Sequence, residues 1–432
     1  MKTTAMGREL LIPALHKLYG RDSAQVEKQN RRYEKLYKHF LSRFGSTSRP
    51  LHWFSTPGRT EIGGNHTDHN HGRVLAAAIN LDSVAAVEAI SENVVTIYSE
   101  GYEQPFIVNL DHLQKQKKEE GSTSALVRGI AARFNDLGYR IGGFRASFSS
   151  DVLPGSGLSS SASIEVLIGT IFNHLFNNGV IAPQVIARIG QYAENVFFGK
   201  PCGLMDQTAC AVGGIITIDF GNPDEPQVEK IDFDFAEQNY RLLVVDTGGS
   251  HDDLTAEYAA IPEEMKAAAR FFGKTVCREL EMNEIMNHIG ALRKAVGDRA
   301  VLRALHFLRE NERVHTQVAA LKENNFNYFL SLVNASGQSS FKWLQNIYSP
   351  ASIREQGLTL ALALSEKYME ELGEGACRVH GGGFAGTIQV FLPLDAVNGY
   401  KRIIEPVFGQ GSVKVLQIRP YGSICLNDFI GK

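Results

Sequence analysis

The chain has 432 residues, 44% hydrophobic and 21% charged, which suits two buried cores and excludes a disordered or membrane-embedded chain. Its formal charge is -3, so no global field draws it to nucleic acid or anionic lipid, and any anion site is local. Five cysteines with no C-x-x-C pair read as reduced, buried thiols rather than a zinc or redox framework.

In chain order, eleven Lys/Arg fall between Lys2 and Arg49 against four acids. Tyr33, Leu36, Tyr37, Phe40 and Leu41 recur among them at helical spacing, which predicts an amphipathic helix rather than a nucleic-acid arm or transit peptide. No stretch reaches the ~18 apolar residues of a membrane span and no cleavable leader opens the chain, so the expectation is a cytoplasmic protein. Strands are predicted within 81–99 and over 144–150, helices over 162–178 and 185–198, and strands over 215–220 and 241–246. Several helices follow from 254 to 347, broken near Gly290, Gly297 and 324–327. A helix over 358–372 and strands over 387–392 and 413–418 complete an α+β pattern. A lobe boundary near residue 240 divides it into 1–240 and 241–432.

Four segments carry candidate chemistry. Pro154, Gly155, Ser156, Gly157, Leu158, Ser159, Ser160 and Ser161 lie between a predicted strand and a predicted helix. Glycines let backbone N–H groups converge, the helix adds the positive end of its dipole, and the hydroxyls add donors, which makes an anion cradle. It is neither a Walker loop nor a G-x-G-x-x-G loop, and its sharp flanks argue against a plain flexible turn. The second segment, Thr56 to Gly72, reads as a short loop that gathers Arg59, Glu61, Asn65, His66, Asp68, His69 and His71. Such a set suits a polyhydroxy ligand, and it equally suits zinc, so a metallohydrolase stays open from this segment alone.

The third segment runs from Gly199 to Gln207, with Glu194 before it. Asp206 sits there in the apolar company of Cys202, Leu204 and Met205, where an acid needs a compensating cation such as Arg59 and suits orienting or deprotonating a hydroxyl. A helix-capping aspartate is the plain alternative. The fourth, His380 to Gly386, is a glycine run opening into a strand, which permits close backbone approach.

Read together, these segments resemble the GHMP kinase superfamily and its galactokinase branch, over most of the chain. The family signature Gly-Arg-Val-Asn-Leu-Ile-Gly-Glu-His-x-Asp-Tyr aligns without a gap on Gly58 to His69, keeping Gly58, Arg59, Gly64, His66 and Asp68. The family's phosphate loop corresponds to Leu153 to Ala162, its Cys-Gly-x-Met-Asp-Gln to Cys202 to Gln207, and its C-terminal glycine motif to Gly381 to Gly386. The resemblance implies a two-lobed GHMP kinase fold, ribosomal-S5-like in the N-terminal lobe and ferredoxin-like in the C-terminal lobe. It implies phosphoryl transfer from ATP with Mg2+ to the anomeric hydroxyl of galactose. Carried over, Asp206 orients or deprotonates that hydroxyl and Arg59 holds Asp206 ionised. Pro154 to Ser160 cradle the phosphates, Ser161 and Glu194 hold Mg2+, and Asn65, His66, Asp68, Gly203 and Tyr258 bind the sugar. The implied partners are a small sugar and ATP, with no nucleic acid or membrane. The resemblance also demotes the zinc reading of the histidines.

The departures cluster at the sugar end. Asn65 replaces a glutamate and His69 a tyrosine, which relaxes repulsion toward an acidic sugar and leaves galacturonate as an alternative substrate. His380 and Ala385 replace a threonine and a glycine, and the basic pair that often follows Tyr258 in the family is missing. A non-catalytic sugar and ATP sensor of the same family is the alternative of another class, and the complete serines of the phosphate loop argue against it.

Overall fold

The computed structural model describes residues 8–20, 22–47, 49–152, 157–249 and 254–429. The expected amphipathic helix is Ser23–Phe44, capped by Asp22, whose carboxylate accepts the Ala24 N–H at 2.9 Å. Its buried stripe, Val26, Tyr33, Leu36 and Phe40, follows the 3.6-residue period. That stripe packs with Trp53, Val84, Ala86 and Leu426.

Two sheets organise the rest. The first holds β1 (His52–Gly63), β2 (Arg73–Ala89), β3 (Val94–Ser99), β4 (Phe106–Asn109), β5 (Phe144–Ser150), β6 (Ile215–Asp219) and β7 (Gln227–Ile231). The second holds β8 (Tyr240–Asp246), β9 (Ala376–Val379), β10 (Thr387–Pro393) and β11 (Val413–Leu416). A last strand, β12 (Ile424–Cys425), returns to the first sheet and pairs Cys425 with Phe54 of β1. The first sheet runs β12-β1-β2-β5-β3-β4, with β6 on the first half of β2 and β7 beyond β6. Only β3 and β5 pair in parallel. The second sheet is antiparallel, β11-β8-β10-β9.

Strand alternation assigns the faces. Val84 and Ala86 of β2 meet the N-terminal helices, while Ala85 and Val87 meet the helices Thr123–Asp136, Ser160–Asn177 and Pro183–Tyr192. A further core joins the sheets: Ile62, Leu75, Ala77 and Ile79 of β1 and β2 pack with Leu242, Val244 and Phe391 of β8 and β10. The site residues of β1 therefore lie on a strand fixed from both sides.

Two expectations are corrected. The segment from Thr56 is not a loop, because β1 continues through Gly63 before the chain turns. From Thr56 onward the strand pairs with β2 and is buried throughout, so no alternating pattern marks it and its Gly, Thr and Pro content hid it. The helix Met282–Val296 runs unbroken through Gly290. Glycine there is solvent-exposed and costs the helix only about 1 kcal/mol. Among the described residues, no helix is long and apolar enough to cross a membrane, and all five cysteines are free.

Candidate functional site

Arg59 leaves β1 beside a register shift between Pro57 and Arg59, which turns its side chain toward the helix Met205–Val212. Its Nε donates to Asp206 Oδ1 at 2.7 Å and its Nη2 to Asp206 Oδ2 at 2.6 Å. Nη1 donates to the Gly157 carbonyl. Asp206 lies in the first turn of its helix, where the dipole favours negative charge. Burial alone would raise its pKa, but the Arg59 charge and hydrogen bonds outweigh burial and hold the carboxyl below its ordinary value. The Ser159 hydroxyl also donates to Asp206 Oδ2. About a third of the Asp206 side chain, 31%, stays open to solvent.

Pro154, Gly155 and Ser156 lie outside the described residues. The rest of the glycine-serine segment is held tightly. Gly157 has φ 70°, and a Cβ on it would sit 2.7 Å from Thr387 Oγ1 and 3.2 Å from His380 Nδ1, so only glycine fits where this segment meets β10. Leu158 is buried and its carbonyl accepts the Arg59 N–H at 3.1 Å. Ser159 adopts a left-handed conformation, φ 60° and ψ 61°, directly before the helix Ser160–Asn177, a strained geometry for a non-glycine residue that accumulates at functional sites. Ser160 and Ser161 form that helix's first turn.

Glu194 is buried one helix away, and Gln207 Nε2 bridges it to a second buried acid: it donates to Glu194 Oε2 at 3.0 Å and to Glu165 Oε2 at 2.9 Å. Burial, then the nearby Glu194 charge, pushes the Glu165 pKa well up. Glu165 Oε1 is buried without a hydrogen-bond partner, a state that costs about 1–3 kcal/mol unless another group meets it. The sequence reading missed Glu165. Its signal was spacing, four residues after Ser161 on the same helix face. Glu194 and Glu165, with its orphaned oxygen, are the hard carboxylate ligands that Mg2+ takes, while Lys200 Nζ stands 3.8 Å from Glu194 Oε1 and Cys202 Sγ 3.5 Å from the bridging Gln207 Nε2.

The residues expected at the sugar end fall around the glycine run 381–383 and Gly203. Asp68 approaches Gly203 so closely that a Cβ there would lie 2.1 Å from Asp68 Oδ2. His66, with φ 58°, donates from Nε2 to the Gly382 carbonyl at 2.9 Å, and burial pushes its pKa down to about 4. The Tyr258 hydroxyl donates to the Gly383 carbonyl at 2.9 Å. Asn65 differs. Its Nδ2 donates to Glu61 Oε1 at 3.1 Å and to the Gly381 carbonyl at 2.6 Å, while its Oδ1 accepts from Asn346 at 2.8 Å and Ser340 at 3.2 Å. An amide has two donors and one acceptor oxygen with two lone pairs, so every polar site of Asn65 is engaged inside the protein. Asn65 thus ties β1 to the glycine run 381–383. His380, the other departure, is buried and neutral: burial, then Arg59 and Arg378, drive its pKa far down. Its Nε2 accepts the Glu61 N–H at 3.3 Å, so Nδ1 carries the proton toward Thr387 Oγ1, 2.9 Å away.

Residues 38–89 match the galactokinase galactose-binding signature, and residues 125–214 match the GHMP kinases N terminal domain. Galactokinase from Streptomyces coelicolor is 30% identical over 370 residues, covering 84% of this chain and 90% of that protein. Galactokinase from Clostridium tetani is 29% identical over 386 residues, 88% and 93% of the two chains. The crystal structure of Lactococcus lactis galactokinase complexed with galactose superposes with TM-score 0.77 at 24% identity, covering 91% of this chain and 99% of that one. A mevalonate kinase structure superposes with TM-score 0.60 at 17% identity, so the fold is that of GHMP kinases. On the strength of 30% identity across nine-tenths of a curated relative, together with the matched sugar-binding signature, this chain belongs to the galactokinase family.

Proposed function

We propose that the protein is a sugar 1-kinase that transfers the γ-phosphoryl group of ATP to the anomeric hydroxyl of galactose, giving ADP and galactose 1-phosphate. The observation that carries this reading is the forked Arg59–Asp206 pair beside the glycine-serine loop. Phosphoryl transfer asks for positioning and charge neutralisation more than for covalent chemistry.

In this reading the sugar's C1 hydroxyl donates to an Asp206 lone pair that Arg59 and Ser159 leave open, and Asp206 receives its proton as the O–P bond forms. Arg59 keeps Asp206 ionised. Its three nitrogens are engaged on Asp206 and Gly157, so it acts on phosphate through its charge. Main-chain donors from Gly155 to Ser160, with Pro154 opening the loop, would cradle the phosphates at the start of the helix Ser160–Asn177. Ser161, Glu194 and Glu165 hold Mg2+, which supplies charge neutralisation across the phosphates when bound. His66, Asp68, Gly203 and Tyr258 line the sugar subsite, and Asn65 acts on it indirectly by fixing the glycine run. We place the lobe division at residue 240, where β8 opens the second sheet, with β12 returning to the first lobe.

The test is a coupled ADP-release assay with ATP and Mg2+ on galactose, galacturonate, N-acetylgalactosamine, glucose and arabinose, with the product phosphate located by phosphorus NMR. Galactose is expected to turn over best, phosphorylated at C1. Sugar binding without ADP release on any of the five would sink the proposal.

A further inference from the structure

Away from the acids that fit Mg2+, three nitrogen and sulfur donors converge from three separate elements. His52 opens β1, Cys425 lies on β12, and His174 lies on the helix Ser160–Asn177. One ligand atom from each falls within 4.8 Å of the other two. The convergence follows from the fold. Cys425 pairs with Phe54, and His52, two residues earlier, shares the Phe54 face of the strand. The His174 ring packs edge-on against both, with centroids 5.4 Å from His52 and 5.6 Å from Phe54.

Two further observations point to a ligand. His52 Nδ1 is buried and has no hydrogen-bond partner, although a buried polar nitrogen is nearly always satisfied. Asp428 Oδ2 stands 3.7 Å from His174 Nδ1, the carboxylate-to-imidazole placement that orients a metal-bound histidine. His174 keeps 22% of its side chain exposed, which leaves a route from solvent, while Cys425 is buried. Zinc bond lengths of about 2.0–2.3 Å separate tetrahedral ligand atoms by roughly 3.3–3.7 Å, so side-chain rotations of about 1 Å close the set. A two-imidazole, one-thiolate set selects a borderline-soft ion over Mg2+.

We propose that His52, His174 and Cys425 bind one Zn2+ ion, with Asp428 orienting His174, and that the ion clamps β12 to β1 and to the helix behind them. Loading forms the metal–sulfur bond and releases the Cys425 proton to solvent.

The experiment titrates the full chain, stripped with chelator and kept reduced in the presence of Mg2+, first with Co2+ and then with Zn2+. The expected result is one equivalent of Co2+ with a thiolate-to-cobalt charge-transfer band, displaced by Zn2+, and a thermal midpoint that rises with Zn2+. Cys425→Ser should abolish the charge-transfer band. His174→Phe keeps a ring against Phe54 on a part-exposed helix position, so it tests the site where the buried cysteine variant fails to fold. With native circular dichroism it should lose stoichiometric uptake, and Asp428→Asn should weaken binding by roughly 10- to 100-fold. A wild type without the charge-transfer band, a band that survives Cys425→Ser, or a folded His174→Phe that still binds one equivalent overturns the proposal.

Discussion

Arg59 and Asp206 meet fork to fork, Nε on Oδ1 at 2.7 Å and Nη2 on Oδ2 at 2.6 Å. Both guanidinium bonds are charge-assisted, and the geometry permits no equivalent lysine. The pair sets the charge state of Asp206, the acid proposed to meet the sugar, and the first two predictions follow from it.

Asp206→Asn keeps the shape and removes the charge and the proton acceptor. Turnover should fall by roughly 10²- to 10⁴-fold, while ATP affinity measured by calorimetry stays near wild type. A variant that keeps most of its turnover would refute the role.

Arg59→Lys replaces the fork with a point charge. Because Arg59 holds the Asp206 pKa down against burial, the variant's pKa should rise. On the proposed role, activity needs ionised Asp206 and is lost as pH falls through that pKa, so the acid limb of the kcat/KM profile should move to higher pH. An acid limb that does not move separates Arg59 from the ionisation of Asp206.

Glu165→Gln leaves the Gln207 bridge nearly isosteric and removes the orphaned carboxylate oxygen. The Mg2+ concentration for half-maximal rate should rise by roughly 10- to 100-fold with KM for the sugar unchanged. Equal changes in both would show a general disturbance of the site.

Gly203→Ala drives a methyl into Asp68 Oδ2. Overpacking of this kind costs about 1–3 kcal/mol. It should appear in steady-state kinetics as a raised KM for sugar with little change in KM for ATP.

Glu310 is fully buried and accepts from the Gly64 N–H at 3.2 Å, from Ser336 at 2.6 Å and from Arg313. Burial raises its pKa, yet Arg313, His306 and Arg378 together bring it down to about 2. A folded pKa below the unfolded value of about 4.3 stabilises the fold above that value, and the gain is lost as pH falls toward 2, about 3 kcal/mol in all. Urea unfolding of Glu310→Gln should show lower stability at neutral pH and a flatter dependence between about pH 4.5 and 2.

The pairing of Arg59 with Asp206 was legible because an acid in apolar company demands a cation and the family resemblance, rather than scarcity among the 44 Lys/Arg, pointed to Arg59. The Asn65 contacts were not, since Ser340 and Asn346 lie 275 and 281 residues further along and nothing local marks them as its partners. β1 was hidden for a like reason: its long pairing with β2 and its burial override propensity, while β12, from the far end of the chain, pairs with Phe54 and Ser55. The cluster of His52, His174 and Cys425 has no spacing signature, because three elements distant in sequence each supply one donor. Helices with a solvent face, such as Ser23–Phe44, were read directly, since their period survives whatever they pack on.

The return of β12 to β1 also sets a schedule for synthesis. The edge of β1 at Phe54 and Ser55 stays unpaired until residue 425 leaves the ribosome, ~370 residues after Phe54, which at about 5–20 residues per second is on the order of a minute or less. Arg419, fully buried on Asp82 at 2.9 Å, arrives in the same late stretch. A product truncated before it therefore keeps an open strand edge and lacks one of the cations that neutralise a buried carboxylate. The first sheet and its buried Asp82 are therefore complete only once the last stretch of the chain has been made.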